Sequence, residues 1–404
     1  MNQIMIHIAI LGFGVVGSGV AEVLSTNASE LAARLDGEML NIKHILDLRT
    51  FPEHPLGDRV TADFETIVND EDVFLVVETM GGSHPAYEFS KRALLAGKSV
   101  VTSNKEVVAN YGAELLEIAR QNGVSYLFEA SVGGGIPIIR PMWQCLAANR
   151  IRSVSGILNG TCNYILTKMA KEHADFDAAL AEAQRLGYAE RNPAADIEGT
   201  DTCRKISILT SLAYGEHVRP ERILCEGITN ITYDDIAYAE ECGYAVKLLG
   251  RAARAEDGKV YALTAPHLVP KDNALAGVND VYNGILVVGN IVEDVLFCGR
   301  GAGSLPTASA VMADVLDVIR DCRKTIGWKN IEATFLGDIG DHVTDCLIRT
   351  AASEEAIKAA FGGQTAVQTR GENRVFFTGK RSEREIDEKC RALDAAALKL
   401  RVLA

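Results

Sequence analysis

Over the first 130 residues, short apolar runs alternate with stretches whose apolar positions recur at helical spacing. Ile4–Leu11 predicts a first strand, Val15–Leu24 and its extension a helix, and Ile42–Leu48 a second strand. Val73–Glu78 predicts a third strand, Tyr87–Ala96 a helix, Ser99–Thr102 a fourth strand, Gly112–Gln121 a helix and Ser125–Ala130 a fifth strand. Strands separated by helices imply βαβ units, and so a parallel sheet covered on both faces. The expected fold class is α/β, with a doubly wound domain over residues 1–130.

The pattern changes after Glu129. Ile151–Leu158 reads as a strand, Phe176–Leu186 and Asp201–Ala213 as helices, and Tyr261–Leu268 and Ile285–Phe297 as longer strands. This is an α+β domain, 131–304, inserted before a late helix at Ala308–Arg320 that would complete the first domain over 305–325. Residues 340–404 form a third unit: strand Cys346–Thr350, helix Glu354–Phe361, strands Thr365–Gln368 and Arg374–Thr378, helix Glu383–Leu393 and strand Leu398–Leu403. That order is a small β-α-β-β-α-β module.

Composition narrows the function classes. A chain of 404 residues exceeds one hydrophobic core, and no apolar run reaches the roughly 18 residues of a membrane-spanning helix. The start MNQIMIHIAILGFG has no cationic segment or cleavage site and runs into a glycine loop, so a cytoplasmic protein is expected. A net charge of −13 argues against nucleic acid or an anionic membrane as partner. The nine cysteines, at 145, 162, 203, 225, 242, 298, 322, 346 and 390, form no Cys-x-x-Cys pair, and the eight histidines show no zinc-ligand spacing. Reduced, small core cysteines are expected.

Gly12-Phe13-Gly14-Val15-Val16-Gly17 follows a strand and opens a helix. Its glycines permit a tight turn, a close backbone approach to a pyrophosphate and close helix–strand packing, while the helix N-terminus presents N–H groups to phosphate. A Rossmann-type domain holding NAD or NADP is expected. The acidic residue that follows such loops comes late: Asp47 lies 30 residues past Gly17. Asp47 would hold a ribose hydroxyl and favour NAD, Arg49 would meet a 2′-phosphate and favour NADP, or the two would simply pair.

A dehydrogenase also needs a group that gives or takes the substrate oxygen's proton. Two lysines stand out. Lys105, in Val101-Thr102-Ser103-Asn104-Lys105-Glu106, lies just past the end of a parallel strand, where open α/β sheets bind ligands. Lys205 follows Asp201 by four residues, on one helical face. By spacing alone that pair reads as a surface ion pair, which is common and weak.

The surrounding residues change that. The run Ala183-Gln184-Arg185-Leu186-Gly187-Tyr188-Ala189-Glu190-Arg191-Asn192-Pro193-Ala194-Ala195-Asp196-Ile197-Glu198-Gly199-Thr200-Asp201, through Lys205, resembles the signature of homoserine dehydrogenases. Val77–Gly82, Ala96–Lys105, Glu129–Pro137, Gly156–Thr161 and Gly301–Gly303 are similar to that family's other motifs, in order along residues 8–320. The resemblance implies reversible reduction of L-aspartate 4-semialdehyde to L-homoserine, on the route to threonine and methionine. It implies Lys205 as proton donor, Lys105 as a second cation between nicotinamide and substrate, and Asp201 as the residue aligning substrate and Lys205. It further implies Glu190 at the substrate ammonium, Asp196 as a supporting carboxylate, and Gly187 and Gly303 approaching the cofactor from the second domain. A monovalent cation, sodium, is implied at Glu129 and the carbonyls of Val132, Gly134 and Ile136. The 260–300 segment resembles the family's intersubunit sheet and implies a homodimer, with a tetramer as the alternative.

Two departures accompany the resemblance. Ser103 and Glu106 stand where the family carries small apolar residues. The C-terminal module resembles an ACT domain, yet Ala351-Ala352-Ser353-Glu354-Glu355 replaces the acidic-proline-glycine turn that lines the effector pocket. Threonine feedback thus loses its usual basis, and dimer assembly is the module's other role. Two rival readings stand beside this one. Aspartate-semialdehyde dehydrogenase would need a nucleophilic cysteine, for which Cys162 is the candidate at a helix start. A catalytically silent sensor of NAD(P) or amino acids would be expected to have lost Glu190, Asp201, Lys105 or Lys205.

Overall fold

The computed structural model describes residues 5–321, 323–324 and 326–403; Ile4 of the first expected strand, and Cys322, lie outside them. The chain divides into two compact units. The first comprises Met1–Asn149, Ser207–Pro220 and Gly299–Ala333, the second Arg150–Ile206, Glu221–Cys298 and Thr334–Ala404.

The first unit is built on strands β1 (Met5–Leu11), β2 (Met39–Leu46), β3 (Val60–Thr61), β4 (Val73–Glu78), β5 (Ser99–Thr102) and β6 (Tyr126–Leu127). They pair in parallel in the order β3-β2-β1-β4-β5-β6. Ile8, Ala9, Ile10 and Leu11 of β1, and Leu75, Val76 and Val77 of β4, are fully buried, as a sheet covered on both faces requires. The order reverses direction between β1 and β4, and ligands of open α/β sheets bind at the carboxyl ends of strands at such a point. Helix Ser304–Arg320 packs against helix Val15–Thr26 within this unit, and the Ser304 hydroxyl donates to the Val15 carbonyl at 2.7 Å.

Two sequence expectations differ here. The helix expected from Gly112 begins at Lys105, because the Asn104 side chain caps it by accepting the N–H groups of Glu106 and Val107; Gly123, at φ 66°, ends it. The strand expected over Ser125–Ala130 keeps only Tyr126–Leu127 and then turns into the short helix Ala130–Gly133.

The second unit carries strands β7 (Ile151–Ile157), β8 (Leu224–Cys225), β9 (Tyr244–Arg254), β10 (Val260–Pro270), β11 (Tyr282–Gly289), β12 (Asp294–Arg300, its last two residues counted with the first unit), β13 (Cys346–Thr350), β14 (Val367–Arg370), β15 (Asn373–Phe377) and β16 (Leu398–Val402). Nine of them run in the order β12-β11-β7-β9-β10-β16-β13-β15-β14, and β8 pairs with β10. β9 and β10 form a long antiparallel ladder from Tyr244↔Pro270 to Arg254↔Val260. β9 escapes a sequence reading because Lys247 interrupts its apolar pattern, yet Lys247 is buried. Its ammonium donates to the Val278 carbonyl at 2.6 Å and to Asn279 Oδ1 and Asn163 Oδ1 at 3.0 and 3.1 Å. The single strand expected over Ile285–Phe297 is two, β11 and β12, separated at Glu293, whose φ is 59°. The β-α-β-β-α-β succession of the C-terminal segment is present, and its strands extend the sheet of this unit through parallel pairing of β16 with β10. Arg401 on β16, almost fully buried, binds both Glu226 and Glu383.

The eight described cysteines are free thiols. Cys162, Cys203 and Cys346 are buried as expected of core residues, whereas Cys145, Cys225 and Cys298 are exposed. No described helix is long and apolar enough to cross a membrane.

Candidate active site

In the first unit the glycine loop joins β1 to helix Val15–Thr26. Gly12 adopts φ +88° and its N–H donates to the Leu46 carbonyl at 2.8 Å, which anchors the turn to β2. A Cβ at Gly17 would overlap the Gly12 carbonyl oxygen, so helix and strand can approach this closely only at a glycine. A Cβ at Gly14 would meet nothing within 4 Å: here the loop is open. Gly14 is the N-cap and contributes no side-chain cap, while Val15 beside it is 70% exposed. An open loop over an uncapped helix N-terminus is the cradle a pyrophosphate needs. The loop fits a dinucleotide.

Asp47 and Arg49 pair with each other. Arg49 Nε and Nη2 donate to Asp47 Oδ1 and Oδ2 at 2.9 and 2.8 Å, and the Phe13 N–H donates to Oδ2 at 2.8 Å. The guanidinium holds the Asp47 carboxyl far below the usual carboxylate range. Asp47 therefore braces the glycine loop from β2, and the Arg49 side chain stays 61% exposed. Phe13 is buried with its ring edge-on to Phe51.

Glu78, at the end of β4, is fully buried and ties two neighbouring turns together. Its carboxylate accepts from Thr102 Oγ1 at 2.5 Å, the Met80 N–H at 2.7 Å and Asn104 Nδ2 at 3.4 Å. Asn104 Nδ2 also donates to the carbonyls of Met80 and Gly82. Burial outweighs these donors and pushes the Glu78 carboxyl up to about 7. Lys105, the first residue of its helix, follows the Asn104 cap and is half-buried. Thr79 completes the ring of loops: its hydroxyl donates to the carbonyl of Gly12 at 2.8 Å.

Glu129 is buried beyond β6. Ile138 and Ile139 donate their N–H groups to Oε1 at 2.6 and 2.8 Å, and the Arg140 N–H donates to Oε2 at 2.8 Å. Two donors saturate Oε1 and leave acceptor capacity on Oε2. Gly134, at φ +56°, lies so close to Gly301 that a Cβ would overlap its carbonyl. Glu129's own N–H donates to Asp314, whose carboxyl is pushed up to about 7 by burial and by the Glu129 charge. No cluster of three or more His, Cys, Asp or Glu suited to a metal ion exists among the described residues. Gly303, at φ +122°, caps helix Ser304–Arg320 and belongs to the first unit, where the sequence expectation has it reaching in from the second.

In the second unit, Asp201 and Lys205 occupy helix Thr200–Tyr214. Their pair is not the exposed one that spacing alone suggests: the side chains are 6% and 10% exposed. Lys205 Nζ donates to Asp201 Oδ2 and to the Leu158 carbonyl, both at 2.8 Å. Asn159 Nδ2 donates to the same Asp201 oxygen at 2.9 Å and to Asp196 Oδ1 at 2.7 Å. Asp196 sits on the short helix Ala194–Ile197. Asp196, Asp201 and Lys205 are thus brought together, whereas Glu190 stands exposed, with its backbone carbonyl accepting from Gln184 Nε2. Gly187 is exposed at φ +77° in the turn after helix Phe176–Arg185. Cys162 is no nucleophile: its thiol donates to the Asp196 carbonyl at 3.1 Å, and burial pushes it well above its ordinary range.

Asn159, the Leu158 carbonyl and Glu78 have no role in a reading of the sequence alone. Asn159 carries the one usable signal, an Asn-Gly-Thr start to a helix, which announces a cap rather than a bridge between carboxylates.

The strand order and open glycine loop make this chain a dinucleotide-binding protein of the doubly wound class, and a buried lysine–aspartate pair lies in its second unit. Family models described as "Homoserine dehydrogenase, NAD binding domain" and "Homoserine dehydrogenase" match residues 12–129 and 137–316. A homoserine dehydrogenase of Synechocystis sp. is 46% identical over 319 residues, 78% of this chain and 73% of the relative. The crystal structure of a homoserine dehydrogenase from Thiobacillus denitrificans superposes with a TM-score of 0.89 at 36% identity, over 99% of each chain. A hyperthermophilic archaeal homoserine dehydrogenase in complex with NADPH covers 80% of this chain and all of its own, with a TM-score of 0.68 at 28% identity. The chain belongs to the homoserine dehydrogenase family. It is an oxidoreductase with an NAD-binding domain, and the catalytic reading is favoured over the silent sensor.

Proposed function

We propose that the protein interconverts L-aspartate 4-semialdehyde and L-homoserine with NADP(H), using Lys205 as the proton donor and acceptor. The observation that carries this reading is the buried Lys205 ammonium, held at 2.8 Å by both Asp201 Oδ2 and the Leu158 carbonyl. Reduction adds a hydride to the aldehyde carbon and a proton to its oxygen; the bound nicotinamide supplies the hydride. Lys205 supplies the proton, and in the reverse direction takes it from the homoserine hydroxyl. The contacts to Asp201 Oδ2 and the Leu158 carbonyl fix where the ammonium sits, which is how Asp201 positions the donor. Glu190 takes the substrate ammonium, Asp196 supports Asp201, and Lys105 is the cation on the nicotinamide side of the substrate.

The cofactor rests on the loop Gly12–Gly17, including Phe13, Val15 and Val16, with Gly187 and Gly303 as further backbone approaches. NADP is favoured over NAD because Asp47 already accepts from Phe13 and Arg49, while the Arg49 guanidinium is exposed to meet a 2′-phosphate. The NADPH complex of the archaeal relative agrees with that choice. A monovalent cation, sodium, would be held by Oε2 of Glu129 with the carbonyls of Val132, Gly134 and Ile136.

Residues 1–130 with 305–325 serve the cofactor, 131–304 the substrate and subunit pairing, and 340–404 an ACT-like role in assembly. A homodimer is supported by edge strand β12 and the turn before it, which expose Ile291, Val292 and Leu296. The protein acts in the cytoplasm. The test follows nicotinamide absorbance with L-homoserine and either NAD or NADP. Reduction that requires homoserine and runs faster with NADP is expected; no homoserine-dependent signal with either cofactor overturns the reading.

A further inference from the structure

We propose that Asn159 is a positioning residue for the proton transfer: its side-chain amide bridges Asp196 and Asp201 and so fixes the carboxylate on which Lys205 is aimed. This rests on the role given to Lys205 above. Three chain segments meet at one nitrogen. Asn159 Nδ2 donates to Asp196 Oδ1 at 2.7 Å and to Asp201 Oδ2 at 2.9 Å, and the Asn159 carbonyl oxygen, Oδ1, accepts the Cys162 N–H at 2.8 Å.

These contacts determine the amide's orientation. The reverse placement would set its oxygen against two carboxylate oxygens and its NH₂ against a backbone N–H, losing every hydrogen bond. The residue is buried, so no water replaces them. The next residue, Gly160, packs closely on the neighbouring chain segment: a Cβ there would meet the Val281 carbonyl oxygen at 2.8 Å.

The chemistry follows from the neighbours. Two carboxylates that converge on one amide repel each other unless a donor stands between them. One amide donating to both keeps both as acceptors. Asp201 Oδ2 receives Asn159 and Lys205 together, so the amide sets the position of the oxygen that sets the lysine. Asp196, Asp201 and Lys205 are the charged groups that act on Cys162 beside this centre. The Cys162 thiol stays neutral, raised by burial first and by both aspartates after it. The bridge is therefore an uncharged part with electrostatic consequences.

A plain helix cap would have the same Oδ1 contact, so the test uses variants that keep the cap. Serine and aspartate both cap well. Asn159→Ser retains an oxygen for the Cys162 N–H and loses the bridge. We expect homoserine oxidation to fall in kcat by about tenfold or more, with KM for NADP essentially unchanged. Asn159→Asp keeps the cap and adds a third carboxylate, which stabilises the Lys205 ammonium. The pH at which homoserine oxidation reaches half its maximum should then rise by about one unit or more.

Wild-type kcat in the serine variant and an unshifted profile in the aspartate variant would reduce Asn159 to a cap and overturn the proposal. If the serine variant does not fold, the aspartate profile alone decides, by the same criterion. Lys205→Ala, assayed in parallel, separates the two claims. Full turnover there removes the lysine's role, whereas an inactive Lys205→Ala beside normal Asn159 variants removes only the bridge.

Discussion

The glycine loop and the Asp201–Lys205 centre are built from different materials. The loop acts through backbone: an open turn at Gly14, a left-handed Gly12 and the N–H groups of an uncapped helix. Side chains such as Asp47 and Glu78 only brace it. The Asp201–Lys205 centre is assembled from side chains of segments some 40 residues apart in sequence, Asn159 against Asp201. A backbone site needs residues that are absent, namely side chains at glycines, and so it forms a compact motif. A side-chain site needs residues that converge only in the fold.

That contrast can be broken at either end. The largest effect is expected at Lys205. Lys205→Ala should lower turnover by about 10²- to 10⁴-fold, the range for loss of a positioned acid–base group, with an unchanged circular dichroism spectrum. Next comes Gly17→Ala. Its Cβ would strike the Gly12 carbonyl, so stability should fall by about 1–3 kcal/mol, read as a lower denaturation midpoint. Gly14→Ala, where nothing lies within 4 Å, should leave that midpoint in place and weaken only nucleotide binding. Arg49→Ala should shift preference toward NADH by about tenfold, as loss of a charge-assisted contact to phosphate implies; equal NADH/NADPH ratios before and after would take Arg49 out of the cofactor site.

The smallest effect is a pH dependence. Glu78 has its carboxyl raised by burial from 4.5 to about 7. A raised carboxyl contributes stability that is full below the unfolded value and is lost as pH rises through the folded one. Wild-type protein should therefore lose stability relative to Glu78→Gln between about pH 4.5 and 7. A difference in melting temperature that is flat across that window would show that Glu78 does not titrate there. Lys247, lowered by burial to about 8, has the opposite slope: its folded form gains stability as pH rises from about 8 to 10.5.

How much of this was legible in the sequence follows the same divide. The β1 run, the glycine loop and β4 stand as the pattern predicts, because each is local and apolar or glycine-coded. Apolar spacing starts the next helix at Gly112, two turns after its true start at Lys105, which the Asn104 cap sets. β9 was missed because Lys247 breaks the alternation, and only the fold shows three neutral oxygens waiting for its ammonium. The Asp201–Lys205 spacing looked like a surface pair; burial is what distinguishes it, and burial is a property of the assembled sheet. Family resemblance implies the roles. It could not supply Asn159, whose second and third contacts exist only after folding.

The division of labour is tested most directly by titrating NADPH into Lys205→Ala and Gly14→Ala side by side, following nucleotide fluorescence. The account predicts wild-type affinity in the lysine variant despite its lost turnover, and weakened affinity in the glycine variant. Equal loss of NADPH affinity in both, or full affinity in Gly14→Ala, would contradict it.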